Sequence, residues 1–276
     1  AQRLTVPLIR RDDAPKDASL KIDPSTPLTH FREASWEEAL DAAAGGIKKI
    51  FDRNGGSALA GFGSAKGSNE EAYLFQKLVR TGFGTNNVDH CTRLCHASSV
   101  AALMETIGSG AVTAPFTAVS DSDVIMVIGA NPTNNHPVAA TFFKNAAKAG
   151  KTLIVADPRG QALKKYATHM LQFSPSSDVA LVNAMLNVIV EEELYDKQYV
   201  EAHTEGFENL KKHIKEFTPE AMAPVCGIEA ETLRTVAREY ATAKASIIFW
   251  GMGISQSTHG TDNARCLISL ALITGQ

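Results

Sequence analysis

Short apolar runs alternate with amphipathic stretches along most of the chain, and this alternation predicts strands separated by helices. Beyond residue 121, three runs of strand length are apolar at nearly every position: DVIMVIG, KTLIVAD and ASIIFW. Such continuous apolarity is typical of parallel strands that are covered on both faces. Helical periodicity over about 178–193 and after residue 260 predicts the covering helices. We therefore expect an α/β fold with a doubly wound parallel sheet.

Two serine–glutamate pairs predict helix starts before residue 90. Ser35 precedes Glu38 by three positions, and Ser68 precedes Glu71 by the same spacing. The reciprocal hydrogen bonds of such a pair satisfy free N–H groups in the first helical turn. We expect a helix after each pair and a short buried strand, SALAGFG, between the two helices.

Composition narrows the classes of function. The 276 residues are 44% hydrophobic and 21% charged, with a formal net charge of -3. This length favours one large or two ordinary domains, and the balanced charge offers no basic surface for nucleic acid. No apolar run reaches the ~18 residues that a membrane helix requires. The four cysteines lack paired CxxC spacings, so we expect reduced thiols and a cytoplasmic protein.

Three loops are expected at the carboxyl ends of the strands, where doubly wound sheets bind their ligands. Their sequences are GANPTNNHP at 129–137, ADPRG at 156–160 and GMGISQ at 251–256. Asparagine amides, the Asp157 carboxylate and the Arg159 guanidinium can bind ribose, base or phosphate. Each loop alone is also an ordinary turn, but together they indicate a ligand with nucleotide and phosphate groups. GMGISQ lacks the third glycine of a GxGxxG loop, which makes a nicotinamide dehydrogenase the weaker alternative.

The stretch VDHCTRLCHASSV at 88–100 places Cys91 and Cys95 four residues apart, with a histidine beside each. On a helix the two thiols would share a face and could imitate a zinc site, although zinc requires four good ligands. A redox disulfide normally uses the CxxC spacing. Two buried thiols with no chemical role are the third alternative. The residues alone leave these alternatives open.

The longer phrase VDHCTRLCHASSVAAL, followed by GSGAVTAPF, resembles the active-site segment of molybdopterin-dependent formate dehydrogenases. The resemblance continues in the family's order through IGANPTNNHP, VADPRG and WGMGISQSTHG, and it covers essentially the whole chain. It implies a Rossmann-like dinucleotide-binding domain over 93–276, preceded at 1–92 by part of a smaller, discontinuous α/β domain. The chain is then expected to be an internal segment of a catalytic alpha subunit, following an iron–sulfur domain, and to be inactive by itself.

The resemblance also implies a site. Cys95 matches the residue that binds molybdenum or tungsten, and His96 matches the neighbouring active-site histidine; a thiolate suits such a metal. Cys91 does not match a ligand and is expected to pack. The implied cofactor is bis-molybdopterin guanine dinucleotide. The positions that match its binding residues are Gly129, Asn131, Asn134, Asp157, Arg159, Asp178, Met252, Gly253 and Gln256.

The activity implied by the resemblance is the reversible oxidation of formate to carbon dioxide. Electrons would pass to a 4Fe-4S cluster elsewhere in the parent protein and then to iron–sulfur or flavin subunits. Arg93 is the cation near Cys95 in the sequence, and the family's substrate-binding arginine is expected beyond residue 276. Two alternatives stay open: a related nitrate reductase, which commonly has methionine where His96 stands, and an electron-transfer scaffold subunit that keeps the fold without the cofactor.

Overall fold

The computed structural model describes residues 3–17, 19, 21–23, 25–112 and 114–276. The chain divides into two compact units, Ala1–Cys91 and Thr92–Gln276. The strands are β1 Leu8–Arg10, β2 Phe31–Glu33, β3 Gly61–Gly63, β4 Val88–His90, β5 Val124–Ile128, β6 Thr152–Ala156, β7 His169–Leu171 and β8 Ser246–Trp250. The helices are α1 Trp36–Asn54, α2 Asn69–Lys77, α3 Thr92–Cys95, α4 Ala97–Ile107, α5 Pro132–Asn135, α6 Ala140–Lys148, α7 Asp178–Glu191, α8 Lys197–His203, α9 Phe207–Ile214, α10 Pro219–Cys226, α11 Ala230–Thr242, α12 Met252–Ser255 and α13 Gly260–Thr274. The assignment of 1–92 to a discontinuous domain stays a prediction.

The first unit has two small sheets: β1 pairs antiparallel with β2, and β3 pairs parallel with β4. Both helix starts predicted from the serine–glutamate pairs are confirmed. The Ser35 hydroxyl accepts a hydrogen bond from the Glu38 N–H at 3.1 Å, and Ser68 forms a complete capping box with Glu71. These bonds set the first residues of α1 and α2.

The predicted strand SALAGFG is only partly correct. Residues Gly56–Ala58 form a 3-10 turn, and the extended part is limited to Gly61–Gly63. The Asn87 side-chain amide donates to the carbonyls of Ser57 and Leu59, at 3.2 Å each. A side chain therefore satisfies carbonyls that a strand would have paired in a ladder.

The second unit contains a four-stranded parallel sheet in the order β7-β6-β5-β8. β5 lies between β6 and β8. After β5 the chain forms β6 and β7 on one side of that strand and later forms β8 on the other side. Val124, Met126 and Ile128 of β5 join one hydrophobic cluster, whereas Ile125 and Val127 join the cluster on the opposite face. All five residues of β5 are buried, which confirms the predicted parallel sheet with two covered faces.

Helices cover both faces of this sheet. The larger cluster packs β5, β6 and β7 against α4, α7, α10, α11 and α13. The smaller cluster packs the other face against α6 and the 3-10 turns Phe116–Ser120 and Ala162–Lys165. There Phe116, Phe143 and Phe249 contact one another with ring centroids 5.0–5.2 Å apart. Phe143 is fully buried and contributes about 1.5–3 kcal/mol of transfer free energy, whereas Phe116 and Phe249 are partly buried and contribute less. The two clusters together give the second unit a substantial core.

Within the residues that the structure describes, no helix combines the length and apolar character needed to cross a membrane.

Candidate functional site

Four segments meet at the carboxyl end of the parallel sheet. The loop after β5 contacts the loop after β8, because the Gly253 N–H donates to the Gly129 carbonyl at 2.9 Å. The loop after β5 also contacts β6 and the turn that follows it: the Gly129 N–H donates to the Ala156 carbonyl at 3.1 Å, and the Gln161 amide donates to the Ala130 carbonyl. The fourth segment is the junction of α3 and α4. The crevice between β5 and β8 is a topological switch point, where open α/β sheets bind ligands.

Glycine is required where the loops after β5 and β8 touch. Gly129 has φ +60°, and a Cβ there would lie 2.8 Å from the Ile254 nitrogen. A Cβ on Gly253 would lie 2.7 Å from the Gly129 Cα, and one on Gly251 would lie 2.9 Å from the Ala130 Cβ. The absence of a side chain at Gly129 therefore permits the loop after β8 to approach its backbone closely.

Cys95 and His96 lie at a break between two helices. Cys95 is the last residue of α3 and is partly exposed, and His96 is the N-cap of α4 with φ -133°. The Gln256 side-chain amide donates to the Leu94 carbonyl at 3.0 Å. The loop after β8 therefore fixes the backbone immediately before Cys95, which brings Gln256 together with the Cys95–His96 pair.

Cys91 belongs to the first unit and precedes α3, which begins at Thr92, so the two cysteines do not share a helical face. The expectation that Cys91 packs is wrong: the residue is exposed, and its sulfur accepts a hydrogen bond from the Ala65 N–H at 3.3 Å. Across the described part of the chain, no group of three or more His, Cys, Asp or Glu side chains could hold a metal ion.

A hydrogen-bonded chain of side chains connects His96 to β8 through two buried serines. The His96 Nδ1 lies 3.0 Å from the Ser255 Oγ, and the Ser255 Oγ lies 2.6 Å from the Ser99 Oγ. The Ser99 Oγ in turn accepts from the Trp250 Nε1 at 2.9 Å. Sequence reasoning missed Ser255, Ser99 and Trp250, the three residues that link His96 to β8. The available signals were the serines directly after His96 and a tryptophan at a strand tip.

The loop after β6 presents one buried acid and one exposed base. Asp157 is 3% exposed, and its Oδ1 accepts from the Arg159 backbone N–H at 2.8 Å. The Arg159 side chain is 79% exposed, with its Nε 3.8 Å from the same carboxylate oxygen. Backbone bonding thus fixes the Asp157 carboxylate, while the guanidinium extends into solvent where it can meet a phosphate.

The remaining predicted binding residues differ in their exposure and in the strand that they follow. Asn131 caps α5 and accepts from the Thr133 hydroxyl at 2.6 Å; Asn134 and Met252 are exposed. Asp178 is the buried first residue of α7, and its burial raises its pKa. It follows β7, which is separated from β5 by β6. Strands lie about 4.8 Å apart, so Asp178 is placed towards the far edge of the site.

The chain is similar to formate dehydrogenases over nearly its full length. It is 39% identical over 274 residues to formate dehydrogenase H of Escherichia coli, covering 99% of this chain and 36% of that protein. It is 38% identical over 273 residues to the alpha subunit of an F420-dependent formate dehydrogenase of Methanocaldococcus jannaschii, covering 99% of this chain and 37% of that one. The chain therefore spans about a third of the length of these relatives.

A solved structure shares the fold. Acetylene hydratase from Pelobacter acetylenicus superimposes with a TM-score of 0.81 at 27% sequence identity, covering 99% of this chain and 36% of the other. The molybdopterin oxidoreductase family profile matches residues 3–276. The match includes every strand of the parallel sheet and every loop at its carboxyl end, and on this evidence the chain belongs to the molybdopterin oxidoreductase family.

Proposed function

We propose that the chain is part of the catalytic subunit of a formate dehydrogenase that uses molybdenum or tungsten. The observation that carries the proposal is the position of Cys95 and His96 at the switch-point edge of a sheet whose family takes a molybdopterin cofactor. Relatives that are 38–39% identical over nearly the whole chain are named formate dehydrogenases. Family membership implies the oxidoreductase class, and the relatives suggest formate as the substrate.

The residues at the site fit bis-molybdopterin guanine dinucleotide. A single partly exposed thiol, with no cluster of further metal-binding side chains among the described residues, suits a metal whose other ligands come from the cofactor. The Oε1 of Gln161 is buried without a hydrogen-bond partner in the described part of the chain. Such an acceptor is costly unless a ligand or water supplies a donor. It lies in the turn whose Asp157 and Arg159 we assign to the guanosine end.

The chain's own residues would divide the binding between two regions. Asn131, Asn134 and the loop after β6 would hold one dinucleotide by amide, carboxylate and guanidinium bonds, with Asp178 at the edge. Met252, Gly253 and Gln256 would contact the other pterin or its phosphates. The Cys95 thiolate would be the protein's bond to the metal, and the cofactor would accept the two electrons of formate oxidation.

The reaction converts formate into carbon dioxide, two electrons and a proton. His96 lies next to Cys95, and its Nε2 is the ring nitrogen that can donate a hydrogen bond to the formate anion. We further propose that a 4Fe-4S cluster elsewhere in the parent protein receives the electrons and that iron–sulfur or flavin subunits carry them onward. A cytoplasmic location belongs to the same proposal and rests on the few, unpaired cysteines.

The test is metal and pterin analysis of the full-length parent protein, combined with formate-dependent dye reduction. We expect molybdenum or tungsten with about two pterins per metal atom, the stoichiometry that the proposal requires. Cys95→Ser should abolish dye reduction, because a neutral hydroxyl is a poor ligand for a soft metal site. Cys91→Ser is the matched control. It removes the exposed cysteine four residues earlier and should retain both activity and metal.

The outcomes separate the alternatives. Matured protein that contains iron but neither molybdenum, tungsten nor pterin would support the electron-transfer scaffold and overturn the proposal. A loaded protein that reduces nitrate and does not oxidise formate would support the nitrate reductase alternative.

A further inference from the structure

The residues hydrogen-bonded in series to His96 determine which atom donates in each bond. It joins Trp250 at the end of β8, Ser99 in the first turn of α4 and Ser255 in α12 to the His96 Nδ1. Ser99 and Ser255 are 4% and 6% exposed. Hydroxyl groups this deeply buried are stable only when their hydrogen bonds are made within the protein.

The indole N–H of Trp250 can only donate, so the Ser99 oxygen accepts from it. The proton of Ser99 is then available for Ser255, and the proton of Ser255 is available for the His96 Nδ1. In this arrangement the indole N–H and both serine hydroxyl protons each lie in a contact of hydrogen-bonding length. If His96 donated from Nδ1 instead, Ser255 would donate to Ser99. The hydroxyl proton of Ser99 would then lack an acceptor among these four residues.

We propose that Ser255, Ser99 and Trp250 are positioning residues that fix the orientation and tautomer of His96. In this tautomer Nδ1 accepts the Ser255 proton and the hydrogen of the neutral ring is on Nε2. The ring therefore presents an N–H donor on the side away from Ser255. Its role towards formate, which rests on the function proposed above, is to donate a hydrogen bond to a carboxylate oxygen.

The contacts around Ser255 show how the fold holds this chain in place. The Ser98 hydroxyl donates to the Ser255 carbonyl at 2.5 Å, and the Asn263 amide donates to the Ile254 carbonyl at 3.1 Å. A Cβ on Gly260 would lie 2.2 Å from the Ser255 carbonyl oxygen, so α13 begins in direct contact with this residue. Helices α4 and α13 therefore restrain the Ser255 backbone, which leaves its hydroxyl in one place relative to His96.

The experiment uses the full-length protein, prepared without cofactor and labelled with 15N only at histidine Nδ1. The His96 signal is assigned by subtracting the spectrum of a His96→Gln sample, both recorded by solid-state NMR at the same pH of about 8.5. The proposal expects the shift of an unprotonated, pyridine-type nitrogen. A protonated, pyrrole-type Nδ1 in the unmodified protein would overturn it.

Four variants test the direction of the chain. Ser255→Ala and Ser99→Ala should each move part of the His96 Nδ1 signal to the pyrrole-type position, and Trp250→Phe should do so to a smaller extent. Ser255→Thr keeps the hydroxyl and should restore the original signal. Ser122→Ala is the matched control, because Ser122 is an equally buried serine whose hydroxyl bonds the Ala118 carbonyl and is not a link in the chain. An unchanged Nδ1 shift in Ser255→Ala would contradict the proposal.

Formate kinetics of the cofactor-loaded protein separate this inference from the proposed function. Ser255→Ala should lose the bias towards one His96 tautomer. Because this weakens one hydrogen bond to formate, the KM for formate should rise about fivefold, and kcat should stay within about twofold of the value for the unmodified protein. A merely structural defect would lower the loaded fraction and kcat and leave KM unchanged, and that result would overturn the role towards formate. If the Nδ1 shifts follow the prediction but loaded protein does not oxidise formate, the tautomer assignment stands and the proposed function fails.

Discussion

The Asp178 carboxyl shows how one buried acid can reduce stability. It is buried in the first turn of α7, and desolvation raises its pKa above the ordinary value, outweighing the opposing bond from its own backbone N–H. The folded state therefore binds this proton more tightly than the unfolded state does. Protonation of this carboxyl therefore stabilises the folded state. The stabilisation is fully present below the pKa that the carboxyl has in the unfolded state, and it is lost as the pH rises through the pKa that it has in the folded state.

We therefore expect Asp178→Asn to stabilise the cofactor-free protein more at about pH 8 than at about pH 5, since only the ionised carboxylate carries the desolvation cost. The measurement is the difference in thermal midpoint between variant and unmodified protein at the two pH values. Asp121→Asn, a change at an exposed aspartate, should give the same difference at both. If Asp178→Asn shifts the midpoint equally at both pH values, the buried carboxyl does not titrate as described.

At the residue scale, the sequence predicted candidate residues but not the contacts that position them. Cys95 and His96 are adjacent in a segment that resembles the family's active site, so they could be predicted by reading along the chain, and their roles stay a prediction. Ser255 lies 159 positions from His96, and nothing local in GMGISQ distinguishes a serine that binds a histidine from one in a turn. Such contacts depend on how β8 and α4 pack, which the pattern of apolar residues does not specify.

At the scale of elements, the loops after β5 and β8 depend on each other through their glycines. Gly129→Ala adds a Cβ 2.8 Å from the Ile254 nitrogen and also strains a φ of +60°. Gly206→Ala is the matched control, because Gly206 has φ +75° with nothing within 4 Å of the added Cβ. The control should cost about 1 kcal/mol for the backbone conformation alone. Gly129→Ala should cost at least about 2 kcal/mol more, because close overlap with backbone forces the loops apart.

The measurement is the free energy of unfolding of both variants in denaturant, together with the pterin content of matured protein. We expect pterin to be lost in Gly129→Ala and retained in Gly206→Ala. Equal destabilisation by the two substitutions would show that the contact between the loops does not hold the site together.

The regular elements were the most predictable part of the fold. β5, β6 and β8 follow from continuous apolar runs, and α7 and α13 follow from long helical periodicity. The one-turn helices α5 and α12 were expected as loops, because four residues are too few to show a period of 3.6. Both lie at the site, where the sequence signal is weakest and the tertiary contacts decide the conformation.

At the scale of the whole molecule, the two units differ in how much core each contains. Every residue of the two hydrophobic clusters belongs to Thr92–Gln276. In the described residues of the first unit, the buried apolar side chains are Leu59 and Val79, and α1 buries none of its residues. Its sheets have two strands each, and isolated two-stranded sheets are marginally stable at best.

We therefore expect residues 92–276 to fold when expressed alone and residues 1–91 to remain largely unfolded. The first fragment retains both faces of the parallel sheet, whereas the second lacks enough apolar burial to offset its conformational entropy. Near-UV circular dichroism during heating should show a cooperative transition for 92–276 and none for 1–91, and amide hydrogen exchange should show protection in β5 and α7 and not in α1. Cooperative unfolding of the 1–91 fragment would contradict this account, because it would require a core that the described residues do not contain.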